Sequence, residues 1–346
     1  MFPYLCLVFE IKCKSLSEMR RHTLKSIFLY CIYVGLLAIG YLVGILHNFH
    51  GCNENSSLLN PSATTDSTEL LIKKHAAFFV VVIFSAPANY ERRLAIRKTW
   101  LSTKGNLSIK HIFAIGTASL DSHQKEVLLK EHVEYEDLLI LDSVSDSFSK
   151  LSGKLRAIFR WLDEHIDFTF LLKVDDDSFV RINAMYSESI KQPRERLYWG
   201  FFDGQARVKT KGKWKEQAWF LCDRYLPYAK GGGYVLTSDL VHNVVLNSNY
   251  LSLYQNEDVA LGTWLAPFHI KRLHDPRFDT EYMSRGCFNS YLVTHKQSTS
   301  MMIAKFNNFI QTGNLCQTEY RDRNSYQYNW NVLPSLCCIR NNSHIP

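Results

Sequence analysis

The 346-residue sequence lacks the features that mark several large classes of protein. It has neither a P-loop nor a GxGxxG run, no internal repeat, and no pair of CxxC motifs at zinc-binding spacing. Glycine and proline are scarce, with 16 and 9 residues, and 46% of the chain is hydrophobic. The composition therefore argues against a collagen-like rod and against a chain disordered throughout. It indicates a globular protein with a sizeable core.

Long hydrophobic runs are also few, which argues against a membrane protein with many spans. Residues 27–46 carry no charge and are long enough to cross a bilayer once as a helix. Arg20, Arg21 and Lys25 precede this run, whereas the next basic residue other than histidine is Lys73. Since positive charge stays on the cytosolic side, we expect a type II signal-anchor with the rest of the chain in the lumen. A cleaved signal peptide is the alternative, although the run is longer than a usual signal core.

This asymmetry divides the chain into four expected parts. Residues 1–26 form a cytoplasmic tail, whose true start could be Met19, and residues 27–46 form the anchor. Residues 47–74 are polar and read as a stem, and residues 75–346 form one luminal domain. The formal net charge of +7 is too small to indicate nucleic-acid binding, although it suits an acidic substrate such as a phosphate ester.

A luminal location would allow glycosylation of the sequons and disulfide formation by the cysteines. Glycosylation sequons begin at Asn55, Asn106 and Asn341. Six cysteines follow the anchor, namely Cys52, Cys222, Cys287, Cys316, Cys337 and Cys338. In an oxidising compartment we expect disulfides among them, but the sequence leaves their connectivity open.

Short apolar runs alternate with helical patterns after residue 75. Runs typical of buried strands are residues 78–84, 111–115, 138–141 and 168–174. Helical spacing is found at residues 92–101, 120–134 and 150–165. The alternation predicts an α/β fold with a largely parallel sheet covered on both faces. Such sheets bind ligands beyond the carboxyl ends of their strands.

Three adjacent carboxylates, Asp175, Asp176 and Asp177, follow the last of these apolar runs. Like charges repel one another unless a cation lies among them. Carboxylate oxygens suit Mg²⁺ or Mn²⁺, which typically bridge the protein to the phosphates of a substrate. A solvated acidic turn is the alternative, but the strand that leads into the triplet favours a metal site.

Two further motifs each allow a structural and a functional interpretation. Glu257 and Asp258 open an apolar helical stretch, where a carboxylate either caps the helix or acts as a general base toward a hydroxyl. Gly231, Gly232 and Gly233 precede a short apolar run. They either let the backbone approach a ligand closely or mark a bend before a strand.

Basic and aromatic side chains supply weaker candidates. Residues 91–100 carry four cations, which suit a diphosphate or form a solvated helix face: Arg92, Arg93, Arg97 and Lys98. Aromatic side chains can stack on sugar rings or simply fill the core, and the candidates are Trp199, Trp214 and Trp219.

Taken together, these motifs resemble the luminal beta-1,3-glycosyltransferases that share the beta-1,3-galactosyltransferase domain. The matching runs lie in the family's order, at residues 92–100, 175–177, 231–236 and 257–259. Further runs resemble the family member that adds the second galactose of the glycosaminoglycan linker, at residues 161–165, 197–202, 274–282 and 291–298.

The resemblance implies a GT-A fold, with a Rossmann-like sheet merged into an acceptor-binding half, in a Golgi membrane protein. It implies inverting transfer of galactose from UDP-galactose to the 3-hydroxyl of galactose in galactosyl-beta-1,4-xylosyl-serine of a proteoglycan core protein. Three alternatives stay open: transfer of N-acetylglucosamine or N-acetylgalactosamine, a luminal sugar-binding protein without activity, and a glycosidase with paired carboxylates.

The resemblance also implies roles for individual residues. Mn²⁺ would be held by Asp175, Asp177 and His295, and Asp258 would be the general base with support from Glu257. The implied donor contacts are Ser85, Arg93, Arg97, Lys154 and Asp176. The implied acceptor-side residues are Trp199, Gly232 and Gly233. No nucleic-acid partner is expected, and an oligomer with a second copy or with another Golgi glycosyltransferase stays open.

Overall fold

The computed structural model describes residues 75–341 and 344–346, all within one compact unit, Leu70–Pro346. The expected tail, anchor and stem lie outside the described residues, as do Asn55, Cys52 and two residues of the last sequon. Asn106 is described and exposed. Among the described residues, no helix has the length and apolar character needed to cross a membrane.

The described chain alternates between strands and helices, as its hydrophobic pattern predicts. The strands are β1 (His75–Phe84), β2 (Ile109–Gly116), β3 (Leu138–Leu141), β4 (Ile166–Asp175), β5 (Phe179–Val180), β6 (Leu197–Asp203), β7 (Tyr228–Thr237), β8 (Lys271–His274), β9 (Phe278–Asp279), β10 (Gly286–Cys287), β11 (Val293–Thr294) and β12 (Tyr320–Arg321). The α-helices are α1 (Tyr90–Lys98), α2 (Ser122–Tyr135), α3 (Leu151–His165), α4 (Ile182–Ile190), α5 (Ser238–Leu246), α6 (Glu257–Trp264) and α7 (Thr299–Thr312).

Seven strands of the described part form the main sheet, in the order β3-β2-β1-β4-β7-β6-β8. Strands β3, β2, β1 and β4 run parallel to one another. Strand β7 is antiparallel to both of its neighbours, β4 and β6. The prediction of an α/β fold with a largely parallel sheet is therefore confirmed. The glycine run, residues 231–233, lies inside β7 rather than at a bend before it.

The core lies on both faces of this sheet. Residues 79–83 of β1 are all fully buried, because helices cover both sides of a parallel sheet and leave no face for polar residues. Helix α3 packs one face inward, and its Leu155, Ile158, Phe159 and Leu162 are likewise fully buried. This is the helical face that the 3.6-residue period predicts.

Two small sheets complete the described fold beside the main one. Strands β5, β11 and β9 form one of them, and β10 pairs with β12 in the other. A disulfide joins Cys287 of β10 to Cys316, and a second joins the neighbours Cys337 and Cys338. Cys222 is exposed and free. The pairing of β11 with β5 carries the residue after β11, His295, back to the carboxyl end of β4.

Candidate active site

A cleft of about 1120 Å³ opens at the carboxyl ends of β1 and β4. The parallel register pairs Phe84 with Asp175, so the segments that follow the two strands leave the sheet at the same edge. This is the edge at which open α/β sheets bind ligands. The lining includes most of the predicted site residues: Ser85, Lys154, Asp175, Asp176, Asp177, Gly232, Glu257, Asp258 and His295.

Asp175, Asp177 and His295 converge on one point of the cleft wall. Their ligand atoms all lie within 4.8 Å of one another. His295 Nε2 is 2.9 Å from Asp177 Oδ1 and 3.4 Å from Asp175 Oδ2, yet this buried nitrogen has no well-formed hydrogen bond. Two carboxylates and an imidazole whose Nε2 faces both of them fit a divalent cation such as Mn²⁺. The sequence-based metal site is thus compatible with the geometry.

The charge of His295 depends on the two carboxylates. Burial alone would lower the pKa of the imidazole, but Asp175 and Asp177 outweigh it and raise the pKa to about 9. Conversely, burial opposes ionisation of Asp177, whereas His295 and Lys296 hold the pKa of Asp177 below its usual range. The cluster is therefore a paired set of opposite charges when no cation is bound.

Gly232 lets the His295 ring reach this position. A Cβ added at residue 232 would lie 2.5 Å from His295 Nδ1 and 2.6 Å from Cγ, closer than real contacts allow. The glycine is therefore required by the close approach of the ring to β7, not by an unusual backbone angle. Gly233 allows a similar close approach of apolar side chains, because its added Cβ would lie 3.1 Å from Val174 and from Val293.

Asp176 lies beside the end of β1. Its Oδ2 accepts hydrogen bonds from Ser85 Oγ and Asn89 Nδ2, both at 2.8 Å, and its Oδ1 accepts one from Arg92 Nη1 at 3.0 Å. Burial raises the pKa of Asp176, and these three donors counteract the rise only in part. The Asp176 carboxylate is thus oriented by these three donors, and it does not belong to the cluster of Asp175, Asp177 and His295.

Glu257 and Asp258 stand at the first turn of α6, on the cleft floor. Asp258 Oδ2 accepts a hydrogen bond from Gly231 N at 2.9 Å, and Oδ1 accepts one from Val259 N at 2.8 Å. Burial raises the pKa of Glu257 to about 7, and it also raises the pKa of Asp258. A carboxylate with a raised pKa that opens onto a cleft is suited to accept a proton near neutral pH.

The structure reveals a buried cation that sequence reasoning missed. Lys173 Nζ donates hydrogen bonds to Asp175 Oδ1 at 2.8 Å, to Gly231 O at 2.7 Å and to Glu257 Oε1 at 2.7 Å. The side chain is only 2% exposed. One signal could have found it, because a single lysine interrupts the apolar β4 sequence just before the aspartates. A buried lysine of this kind is almost always paired.

Other predicted residues do not reach the cleft. Arg93 is fully buried, and its Nη2 is 2.6 Å from Glu131 Oε2. Arg97 pairs with Glu131 and Asp137, both at 2.8 Å. Carboxylates on α2 and before β3 pair with both guanidinium groups, and neither arginine lines the cleft. Arg93 instead supports the cleft wall from behind, because its Nη1 donates to Ser85 Oγ at 3.0 Å and to Ala86 O at 2.7 Å. Trp199 is also fully buried in β6, and its Nε1 donates to Asp275 Oδ2 at 3.0 Å.

Further cations line the cleft. Lys154 is buried, donates to Ser85 O at 2.8 Å, and pairs with Asp146. Lys230 Nζ lies 2.7 Å from Asp203 Oδ2. On the wall near His295, Arg323 and Arg340 both contact the Glu281 carboxylate. Of these four cations, only Lys154 was predicted. The other three pair with carboxylates that are distant in the sequence, and a sequence pattern does not show such pairs.

The fold and the site together define a class, an α/β domain with an Asp-Asp-His cluster that fits a divalent cation and with the Asp258 carboxylate in the same cleft. The galactosyltransferase family model matches residues 91–276, which include the aspartate triplet and Asp258 but neither the end of β1 nor His295. The chain belongs to the galactosyltransferase family. The resemblance seen in the sequence is thereby confirmed.

Curated relatives agree with this assignment. The chain is 50% identical over 270 residues to Beta-1,3-galactosyltransferase 6 of Mus musculus, covering 76% of this chain and 83% of the mouse protein. It is 30% identical over 241 residues to Hydroxyproline O-galactosyltransferase GALT6 of Arabidopsis thaliana, covering 67% of this chain and 35% of the plant protein. Against a human protein, UDP-GalNAc:beta-1,3-N-acetylgalactosaminyltransferase 2, identity is 34% over 156 residues, covering 44% of this chain and 31% of the relative.

Two solved structures match at low similarity. The apo structure of the bifunctional glycosyltransferase WbbM matches with a TM-score of 0.34 and 11% identity, covering 65% of this chain and 41% of that one. The crystal structure of HddC from Yersinia pseudotuberculosis matches with a TM-score of 0.33 and 10% identity, covering 57% and 89%.

Proposed function

We propose that this chain is an inverting beta-1,3-galactosyltransferase of GT-A type that uses UDP-galactose. The observation that carries the proposal is the position of Asp258 in the same cleft as Asp175, Asp177 and His295. Membership of the galactosyltransferase family and the identity to the mouse relative support both the reaction and the donor. A sugar-binding protein without activity would not need a base.

Asp258 accepts the proton from the 3-hydroxyl of the acceptor galactose. The hydroxyl oxygen then forms a bond to the anomeric carbon while the bond from that carbon to UDP breaks, and UDP leaves with the electron pair. A single displacement converts the alpha linkage of the donor to a beta linkage without an enzyme nucleophile. Gly231 N fixes the Asp258 carboxylate by a 2.9 Å hydrogen bond, and burial keeps its pKa raised, which favours proton transfer.

The donor side of the proposal rests on the residues beside the aspartate triplet. Asp175, Asp177 and His295 would hold Mn²⁺, which supplies positive charge for the departing diphosphate when it is bound. Ser85, Asp176 and Lys154 line the same wall of the cleft and would contact the nucleotide. Arg92 is the cation of α1 that reaches this wall, 3.8 Å from Asp177 Oδ2.

The acceptor and the cellular location are finer proposals. We infer galactosyl-beta-1,4-xylosyl-serine of proteoglycan core proteins as acceptor, supported by the sequence runs at residues 274–282 and 291–298. We infer a single-pass type II protein of the Golgi membrane, anchored by residues 27–46. The disulfide between Cys287 and Cys316 supports a luminal domain, because disulfides persist in oxidising compartments.

The test is galactose transfer from UDP-galactose to a galactosyl-xyloside by the full-length chain. Metal-dependent formation of a beta-1,3 product, abolished by EDTA, is expected. Asp258→Asn should lose about 10²-fold to 10⁴-fold in kcat, whereas the exposed Asp223→Asn should not. Transfer only from UDP-N-acetylgalactosamine would contradict the proposed donor, and transfer only to other glycans would contradict the proposed acceptor. UDP binding without turnover would favour an inactive sugar-binding protein.

A further inference from the structure

A surface loop at the entrance of the cleft carries five exposed cations. We call residues 207–215 the basic loop, and its cations are Arg207, Lys209, Lys211, Lys213 and Lys215. Within the described part of the chain, none of the five has an ion-pair partner. The positive charge of the loop is therefore not neutralised by the protein itself.

The nearby acids offset the positive charge of the loop only in part. Glu216 follows the loop directly, but it is buried, and its two carboxylate oxygens accept hydrogen bonds from Ala218 N and Gln255 N. Asp223 is exposed and is a single charge. Five unpaired cations on nine residues thus produce a local positive potential, which steers anionic partners toward the surface.

The loop is part of the cleft and is fixed to the helix of the candidate base. Lys209, Lys213 and Trp214 line the same cleft as Asp258. Gln255 Nε2 donates to Lys213 O at 2.7 Å, and Asn256 Nδ2 donates to Trp214 O at 3.3 Å. Both donors belong to the two residues that immediately precede α6. The backbone of the basic loop is therefore held beside the helix that carries Asp258.

The chemistry of the loop indicates the kind of partner. Lysine is a compact, hydrated charge on a flexible stem and does not form the rigid two-pronged contact that arginine makes with a phosphate. Four of the five cations are lysines, spaced every second residue around a turn at Gly212, whose φ is 76°. Such dispersed point charges match carboxylates that are distributed along a chain.

We propose that the basic loop docks an acidic segment of the polypeptide that carries the acceptor sugar. The inference rests on the proposed function, because it requires an acceptor attached to protein. A sugar whose hydroxyl reaches Asp258 leaves its attached polypeptide at the mouth of the cleft, where the basic loop lies. The loop then selects among acceptor proteins by charge, whereas the cleft selects the sugar.

Two glycopeptides with the same galactosyl-xylose and different flanks test this proposal. One carries four Asp or Glu residues near the sugar, and the other carries Asn or Gln at those positions. With the full chain at low salt, kcat/KM should be about tenfold or more higher for the acidic peptide, mainly through KM. The preference should shrink as ionic strength rises, because salt screens exposed charges.

A loop variant and a matched variant locate the effect. The triple variant Arg207→Gln, Lys211→Gln, Lys215→Gln alters cations of the basic loop that do not line the cleft. It should bring the acidic-to-neutral ratio close to one. The control is Lys98→Gln, Lys130→Gln, Lys191→Gln, which removes the same charge from exposed sites elsewhere. It should keep the ratio of the natural protein.

The possible outcomes separate this inference from the proposed function. Equal kcat/KM for the two peptides, or an equal loss of preference in the control variant, would overturn the inference alone. Loop-dependent inhibition by a sulfated oligosaccharide, with none by a sugar-free acidic peptide, would assign the loop to an anionic glycan and also overturn it. No transfer to either peptide would overturn the proposed function and the inference with it.

Discussion

Lys173 Nζ lies 2.7 Å from Glu257 Oε1, so one buried ammonium joins the end of β4 to the first turn of α6. Its other two hydrogen bonds go to Asp175 Oδ1 and to Gly231 O. An ammonium has three donors, and here all three are used. Lys173 therefore links three parts of the site: the cluster of Asp175, Asp177 and His295, the glycine run, and the helix that carries the candidate base.

Replacing Lys173 should separate these three parts. In Lys173→Met, the Glu257 and Asp175 carboxylates lose a buried partner, so we expect kcat to fall by about 10²-fold or more. The unfolding free energy should fall by about 3–5 kcal/mol, as for other broken buried pairs. Steady-state kinetics on the folded fraction, with unfolding followed by circular dichroism, measures both.

Lys173→Arg is the matched variant for this prediction. It keeps the charge but cannot direct three single donors to three acceptors, because its guanidinium is planar. We expect intermediate kcat and a smaller loss of stability. A folded Lys173→Met protein with kcat close to that of the natural protein would show that the link is not needed for transfer.

The close approach at Gly232 gives a second prediction. In Gly232→Ala, the added methyl group would lie 2.5 Å from His295 Nδ1, so the ring must leave its present position beside Asp175 and Asp177. We expect weaker binding of Mn²⁺, measured by calorimetry, together with lower activity.

Gly153→Ala is the control glycine. Residue 153 lies inside α3, and nothing is within 4 Å of its added Cβ. Alanine is a better helix former than glycine, so stability should rise by about 0.5–1 kcal/mol while Mn²⁺ affinity stays the same. Unchanged Mn²⁺ affinity in Gly232→Ala would contradict the role given to the close approach.

The pKa of His295 predicts how metal binding depends on pH. In the metal-free protein this pKa is raised to about 9, but only the neutral imidazole binds a cation. Below that pH, binding releases a proton, so Mn²⁺ affinity should rise about tenfold per pH unit and level off near pH 9. Calorimetry in buffers of different ionisation enthalpy measures the released proton directly.

Stability of the metal-free protein should change in the opposite direction over the same range. Because the folded-state pKa of His295 lies above its usual 6.5, its contribution to stability is complete below pH 6.5 and is lost as pH rises through about 9. His295→Ala should remove both pH effects. A steep pH dependence that persists in this variant would assign it to another group.

Local patterns predicted much of the fold and part of the site. The apolar run that ends at Asp175 and the helical face of α3 depend on neighbouring residues only, and both are present in the structure. The aspartates were expected at the edge of the sheet, because a parallel strand must end there. Two parallel strands that share this edge also bring Ser85 beside Asp176.

Contacts between distant segments were not predictable in the same way. Arg93 and Arg97 carry the same charge and the same helical spacing whether they face a diphosphate or a carboxylate. The partner that decides is Glu131 on α2, 38 residues from Arg93 and 34 residues from Arg97. Nothing in a single sequence reports that pairing, and the same is true of Lys173 and Glu257.

The buried ion pairs of Glu131 give the last prediction. Its Oε1 accepts from Arg93 Nε and Arg97 Nη2, both at 2.8 Å, and Oε2 accepts from Arg93 Nη2 at 2.6 Å. Burial opposes the charge, but the two arginines outweigh it and lower the pKa of Glu131. Glu131→Gln leaves the buried Arg93 without its carboxylate, whereas Arg97 keeps Asp137, and it should cost about 3–5 kcal/mol of stability at neutral pH.

The pH dependence and the kinetics together test this structural role. A group with a lowered folded-state pKa stabilises the protein above its usual pKa of 4.5, and this stabilisation is lost as pH falls through the folded value. The difference between the natural protein and Glu131→Gln should therefore shrink in acid. At neutral pH, KM for UDP-galactose in the folded variant should stay within about twofold, because neither arginine lines the cleft and Arg93 keeps its hydrogen bonds to Ser85 Oγ and Ala86 O. A large rise in this KM with unchanged stability would instead mean that Arg93 or Arg97 contacts the donor.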